Sequence, residues 1–367
     1  MKGFCRIYSI WVVAVLLAGC TAPAAPPTPA APAATAASSQ NTVAADELTV
    51  MTHDSFAASE AVIKQFEQDN NVKLTFIKSG DAGAALNRAI LSKNSPAADV
   101  FYGVDNTFLS RALDAGIFEP YASPALSDVD DTFKLDAQNK ALPVDYGDVC
   151  INYDKAYFKT KNLAVPATLE DLAKPAYKGL LVVVNPATSS TGLTFLLATI
   201  AHFGEAKYLD YWKSLKDNGV VVVNGWEAAY YTNFSGSSGK GPQPMVLSYA
   251  SSPAAEVVFA KDKPSDAPTA SILGPDTCFR QVEFVGILAG TQKRALAEKF
   301  VDFMLRKPFQ EDMPLQMFVY PTNTKATLPD EFVKYAQIPE KPATMDPAVI
   351  AKNRDAWIQA WSDLVLH

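Results

Sequence analysis

The chain has 367 residues, a net charge of −7 and four cysteines. That length accommodates two lobes of common size. The acidic balance argues against a nucleic-acid partner and mildly favours a neutral or cationic ligand.

The N-terminus reads as a secretion signal over residues 1–19. Lys2 and Arg6 supply its positive end, and residues 7–18 form an apolar run too short and wrongly flanked for a lasting membrane span. The run ends in Leu17-Ala18-Gly19-Cys20, which resembles a lipobox. Cleavage there makes Cys20 the first residue of the mature chain and the carrier of a lipid. The alternative is ordinary signal cleavage elsewhere. Residues 20–45 are almost all Ala, Pro, Thr and Ser, a composition that builds no core and reads as a flexible tether. The N-terminal lipid is then the only expected contact with the membrane. Loss of Lys2 and Arg6 takes the net charge from −7 to −9.

From residue 46 onward the pattern alternates. Strands are predicted at 48–51, 72–77 and 99–102, with helices at 59–68, 84–92 and 106–115 between and after them. Such β-α-β-α order means a mainly parallel sheet covered on both faces. Ligands of such sheets sit beyond the carboxyl ends of the strands, which makes the loops at 53–56, 79–83 and 103–106 candidate cleft elements. Further strands are predicted at 149–153, 180–184, 220–223, 245–249 and 282–289. Helices are predicted at 207–216, 295–305 and 347–366. One lobe is thus interrupted by another, with two crossings near 143–150 and 278–286. A cleft between two lobes joined by two crossovers has the half-sites and hinge of a closing solute binder. No internal repeat is visible.

Residues 185–195 hold the most telling stretch. An apolar strand leads through Thr188, Ser189, Ser190, Thr191 and Gly192 into a helix. First-turn amides lack partners inside the helix and carry the positive end of its dipole, so the stretch reads either as a phosphate site or as a Ser/Thr cap. Trp226 and Tyr249 each stand at a strand terminus. They are either stacking platforms for a flat cationic ring or ordinary core and rim aromatics. The three histidines, His53, His202 and His367, are far apart, and no CxxC or HxxxH occurs, so no metal site is expected. There is no GxSxG, and nothing supplies a base for Ser189 or Ser190, so no enzyme activity is expected. With Cys5 and Cys20 accounted for, Cys150 and Cys278 form either a disulfide or two separate buried thiols.

Several segments resemble, in order and spacing, the thiamine-binding proteins of bacterial ABC importers. They are Thr52-His53-Asp54-Ser55-Phe56, Leu86-Asn87-Arg88, Gly103-Val104-Asp105-Asn106, Asp145-Tyr146-Gly147, Thr188-Ser189-Ser190-Thr191-Gly192, Gly225-Trp226, Leu247-Ser248-Tyr249-Ala250-Ser251-Ser252-Pro253 and Tyr320-Pro321. The resemblance implies an α/β, two-lobed periplasmic-binding-protein type II fold. Two parallel-rich sheets with helices on both faces are joined by two crossover hinge strands. Lobe 1 is expected at 46–144, lobe 2 at 145–280, and a return to lobe 1 with the C-terminal helices at 281–367. In that architecture the crossovers run side by side, so Cys150 and Cys278 are expected to be bonded.

The resemblance further implies a ligand set of Asp81, Ala82, Ser189, Ser190, Trp226, Tyr249, Ala250, Ser251 and Ser252, with His53, Asp54, Asp145 and Phe318 as further cleft residues. The chain departs from the family in carrying His53 and Ala255 where tyrosines are found, and Phe318 near a tryptophan position. The implied protein is a lipid-anchored, extracytoplasmic, monomeric receptor. It takes thiamine or its mono- or diphosphate without a cofactor and delivers it to an ABC permease with its ATPase. The rivals are a ferric-iron or spermidine-like polyamine binder of the same fold, and an extracytoplasmic enzyme. Tyr230-Tyr231, placed on a predicted helix, is the adjacent tyrosine pair that bears on the iron reading.

Overall fold

The computed structural model describes residues 46–237, 240–262 and 264–367. The signal at 1–19, the tether at 20–45 and Cys20 lie outside them. Among the described residues no helix is long and apolar enough to cross a membrane.

Strands β1 (Asp46–Thr52), β2 (Val72–Lys78) and β3 (Val100–Asp105) alternate with the helices Glu60–Asn70, Ala82–Leu91 and Leu109–Ala115. β1 pairs in parallel with both β2 and β3. Next come β4 (Phe118–Glu119), β5 (Leu142–Asp154), β6 (Leu181–Val184), β7 (Val221–Val223), β8 (Met245–Tyr249), β9 (Thr269–Ile272), β10 (Phe279–Leu288) and β11 (Tyr320–Pro321). The strands run β2-β1-β3-β10-β5-β8-β6-β7, with β4, β9 and β11 attached at the side. Parallel pairs at the two ends, β1–β2 and β6–β7, flank a centre of long antiparallel strands.

That centre is the double crossover. β5 and β10 pair antiparallel from Leu142↔Val285 to Val149↔Phe279. Towards its end β5 continues onto β8 and β9, while β10 pairs with β3 along its other edge. β5 begins seven residues before the strand expected at 149–153, because tertiary pairing overrides the turn-like composition of Pro143, Asp145, Gly147 and Asp148. Each buried carboxylate there has a partner. Asp148 receives Arg280 Nε and Nη2 at 3.0 and 2.8 Å, and Asp145 receives Tyr102 Oη at 2.6 Å. Cys150 and Cys278 are bonded, with Cα atoms 4.4 Å apart. The bond ties β5 to the start of β10, with Ala250 packed beside it.

Two apolar cores cover the sheet. Leu48, Val50, Val100 and Val285 pack with Phe66, Phe300 and Met304 from the helices Glu60–Asn70 and Arg294–Leu305. Val182, Val184 and Leu247 pack with Leu193, Phe195 and Leu197 of the helix Ser190–Phe203. The last helix, Pro347–Val365, lies on the helix Tyr208–Asp217, with Trp361 edge-on to Trp212 at 5.4 Å. Gly192 lets Ser190–Phe203 lie directly on the end of β6, since a Cβ there would run into the Val184 carbonyl oxygen.

Candidate functional site

A cavity of about 310 Å³ opens at the carboxyl ends of β1, β2, β6, β7 and β8, where the alternating pattern puts it. Its walls come from both ends of the sheet. His53 and Phe56 follow β1, and Asp81 and Ala82 follow β2. Ser190 and Thr191 open the helix after β6, Trp226 and Tyr230 follow β7, and Tyr249 ends β8.

Asp81 holds the two sides together. It is the N-cap of the helix Ala82–Leu91, and its Oδ1 accepts from the Ala82 amide at 2.7 Å. This cap starts the helix two residues before the predicted 84. Its Oδ2 accepts from the Trp226 amide at 2.8 Å, joining the loop after β2 to the loop after β7. The Ala84 amide also donates to the Thr188 carbonyl at 3.1 Å. Burial pushes the Asp81 carboxyl above its ordinary pKa, and the two amides and His53 pull against that rise.

Trp226 is the aromatic wall. Tyr230, one turn on in the π-helical turn Ala228–Asn233, stacks on the indole at 5.0 Å and 15°. Tyr231 meets it edge-on at 5.5 Å. Its Nε1 donates to Ser248 Oγ at 2.9 Å, and Ser248 pairs with Ser252 at 2.8 Å. The ring is thus locked in orientation while it lines the cavity. Tyr249 stands at 6.4 Å, tilted by 59°. Burial raises the Tyr249 phenol well above its usual pKa, so it stays a donor.

A one-way hydrogen-bond relay leads from this wall to the helix N-terminus. Tyr249 Oη donates to Gln281 Oε1 at 2.9 Å, and Gln281 Nε2 donates to Ser190 Oγ at 2.9 Å. Ser190 therefore accepts from the protein and keeps its own proton for a ligand. Ser189 occupies the N-cap position without capping by its side chain, and its hydroxyl pairs with Thr191 Oγ1 at 2.9 Å.

Two residues along β10 from Gln281 stands a buried acidic group. Glu283 of β10 lines the cavity with Oε1 3.3 Å from His53 Nε2. Behind it, Tyr102 Oη bridges to Asp145 Oδ2 at 2.6 Å and to Glu283 Oε2 at 3.3 Å. Burial and the neighbouring Glu283 hold the Asp145 carboxyl well above its usual pKa. Burial works in the same direction on Glu283, but the His53 imidazole, with hydrogen bonds from Asp145 and Tyr102, outweighs it and keeps that carboxylate below its ordinary pKa.

Of the residues singled out in the sequence, Asp81, Ala82, Ser190, Trp226, Tyr249, Ser252, His53 and Phe318 line the cavity. Ser189, Ala250, Ser251, Asp54 and Asp145 do not. Ala250 packs on the disulfide, Ser251 donates to the Phe318 carbonyl, and Asp54 receives the Gly80 amide at 2.9 Å. Glu283, Phe259 and Gln281 were not anticipated, and Tyr230 was singled out only for the iron reading. The available signal for Glu283 was an acidic side chain in the middle of an apolar strand.

A family model for bacterial extracellular solute-binding proteins matches residues 95–353. The chain belongs to that family. A thiamine-binding periplasmic protein of Brucella melitensis is 31% identical over 87% of this chain and 92% of its own. One from Escherichia coli is 33% identical over 87% and 93%. Among solved structures, a periplasmic thiamin binding protein superposes with a TM-score of 0.76 at 30% identity, covering 87% of this chain and 96% of its own. The fold is the two-lobed type II fold of periplasmic binding proteins. This solute-binding protein is accordingly a receptor of the ABC-importer type that works outside the cytoplasm. It has a small-molecule ligand and a permease partner, and it captures that ligand without transforming it.

Proposed function

We propose that this solute-binding protein is lipid-anchored through Cys20 and that its ligand is thiamine or a thiamine phosphate, held between the lobes. The observation that carries the reading is the pairing of an aromatic wall with buried acidic groups. Trp226, backed by Tyr230, offers a rigid π-face, and Glu283 and Asp81 supply negative charge within the same cavity. A flat, positively charged heteroaromatic ring meets both requirements at once. The names of the relatives in Brucella and Escherichia support the same ligand.

The phosphate of an ester would point towards Ser190 and Thr191. There the Ser190 proton and the first-turn amides of the helix Ser190–Phe203 are donors, and Lys78 lines the same cavity. Lobes at 46–144 and 145–280, with a return at 281–367, would close over the ligand about the β5–β10 pair, with the chain acting as a monomer.

Thermal melts of the full chain with thiamine, its mono- and diphosphate, ferric ion and spermidine test the ligand class. A ligand at about 100 times its dissociation constant adds about 2.7 kcal/mol of stability. The reading predicts a shift with the thiamine species and none with iron or polyamine. A shift with ferric ion alone would replace it. Metabolic labelling with a fatty acid, compared between wild type and Cys20→Ala, tests the anchor.

A further inference from the structure

We propose that Glu283 is the counter-ion of a cationic ligand in this cleft and that the protonated imidazole of His53 holds the ligand's place in the ligand-free protein, so that one proton leaves as the ligand's charge enters. The inference rests on the reading of a cationic ligand and adds to it the residue that recognises the charge and a proton that is exchanged.

The geometry carries it. His53 and Glu283 both line the cavity and are 7% and 4% exposed. His53 Nε2 stands 3.3 Å from Glu283 Oε1, a long and poorly aligned contact held by charge as much as by hydrogen bonding, so a second cation beside Glu283 competes with it directly. The imidazole is packed on two sides: it lies against Gly103, where φ is +109° and a Cβ would run into the ring, and its centroid is 5.6 Å from that of Tyr102.

The surrounding charges fix where the proton sits. Around the imidazole are Asp54 on its own loop, Glu283 on β10, Asp81 at the helix start after β2, and Tyr102 on β3. Asp145 on β5, Asp105 at the end of β3 and Tyr249 on β8 are the further titratable groups near Glu283. Lys78 is the other cation lining the cavity, and its Nζ donates to the Asp54 carbonyl at 2.6 Å. Burial alone would discharge His53, but Glu283, Asp81 and Asp54 outweigh it and raise its pKa above the ordinary value. His53 therefore holds its proton more tightly than a free imidazole does, opposite an ionised Glu283.

A ligand cation placed beside Glu283 competes with His53 for that carboxylate and repels the imidazolium at close range, in a site where charge repulsion is poorly screened. Release of the His53 proton to solvent removes that repulsion. The ligand cation and the protonated protein become the complex with neutral His53 and one free proton, and charge balances. By linkage, affinity then rises with pH, at most about tenfold per unit, until His53 is neutral in the free protein.

Calorimetric titration of the full chain with thiamine chloride, in two buffers of different ionisation enthalpy at pH 6 and pH 8, counts the proton directly. The expected result is release approaching one proton at pH 6, markedly less at pH 8, and tighter binding at pH 8. His53→Gln should release none, lose the pH slope and bind more tightly than wild type at pH 6. Glu283→Gln should bind at least tenfold more weakly than wild type at pH 8. Binding by wild type with no proton release at pH 6, or an unchanged affinity of Glu283→Gln at pH 8, overturns the inference and leaves the ligand reading standing. No binding at either pH removes both. The wild-type proton count needs no variant to fold.

Discussion

Trp226 concentrates the binding argument in one side chain. Its indole is fixed by Ser248 and backed by Tyr230, so its contribution to a stacked ring is preorganised. Trp226→Ala is predicted to weaken every thiamine species by roughly ten- to several-hundred-fold, through lost contact and cation–π attraction. Fluorescence or calorimetric titration measures this, and wild-type affinity would make Trp226 a rim residue. Ser190 belongs to a different part of the ligand. Because it accepts from Gln281 and keeps its proton, Ser190→Ala is predicted to weaken a phosphate ester by about 1–3 kcal/mol and to leave thiamine nearly unchanged. Equal losses for both ligands would make Ser190 a general cleft wall. At this scale the sequence was legible where a residue ended a strand. Trp226 and Tyr249 could be placed because the strand before each could be seen. Tyr230 could not, because a pair of tyrosines on a helix gives no sign of which ring lies under the indole. Glu283 stood out as an acid among the apolar residues of β10, but composition does not show that it faces the cavity.

The helix Ser190–Phe203 shows how an element presents a site. It packs on the end of β6 with no Cβ at position 192, and that close approach sets where Ser190 and Thr191 stand. Gly192→Ala must push the helix away from the Val184 carbonyl. A destabilisation of about 1–3 kcal/mol is predicted, together with weaker ligand binding, from urea unfolding and titration of the same sample. A variant as stable as wild type would mean that the helix has room to shift. The strand–loop–helix order of this element was readable from its apolar runs and hydroxyl cluster. The length of β5 was not, because Pro143, Gly147 and two aspartates read as a turn until β10 pairs with them. Local composition carries no information about a partner more than a hundred residues away.

Across the whole molecule, the β5–β10 pair and its disulfide join everything on one side of the cleft to everything on the other. The bond closes a loop spanning 128 residues, for which the chain-entropy account gives about 4–5 kcal/mol. Cys150→Ser with Cys278→Ser is predicted to lower stability by an amount of that order. Two free thiols in denatured, unreduced protein from outside the cytoplasm would contradict the bond itself. The alternation of strands and helices made the two-lobed plan legible early, whereas the residues alone left the cysteines as a disulfide or two thiols and the family resemblance implied their pairing.

The central claim is that the cleft takes a thiamine-class cation. Equilibrium dialysis of thiamine against the full chain tests it most directly, with Trp226→Ala dialysed in parallel. The account predicts saturable uptake of one thiamine per chain by the wild type and a large loss of affinity in the variant. No saturable uptake by correctly folded wild-type protein would contradict it.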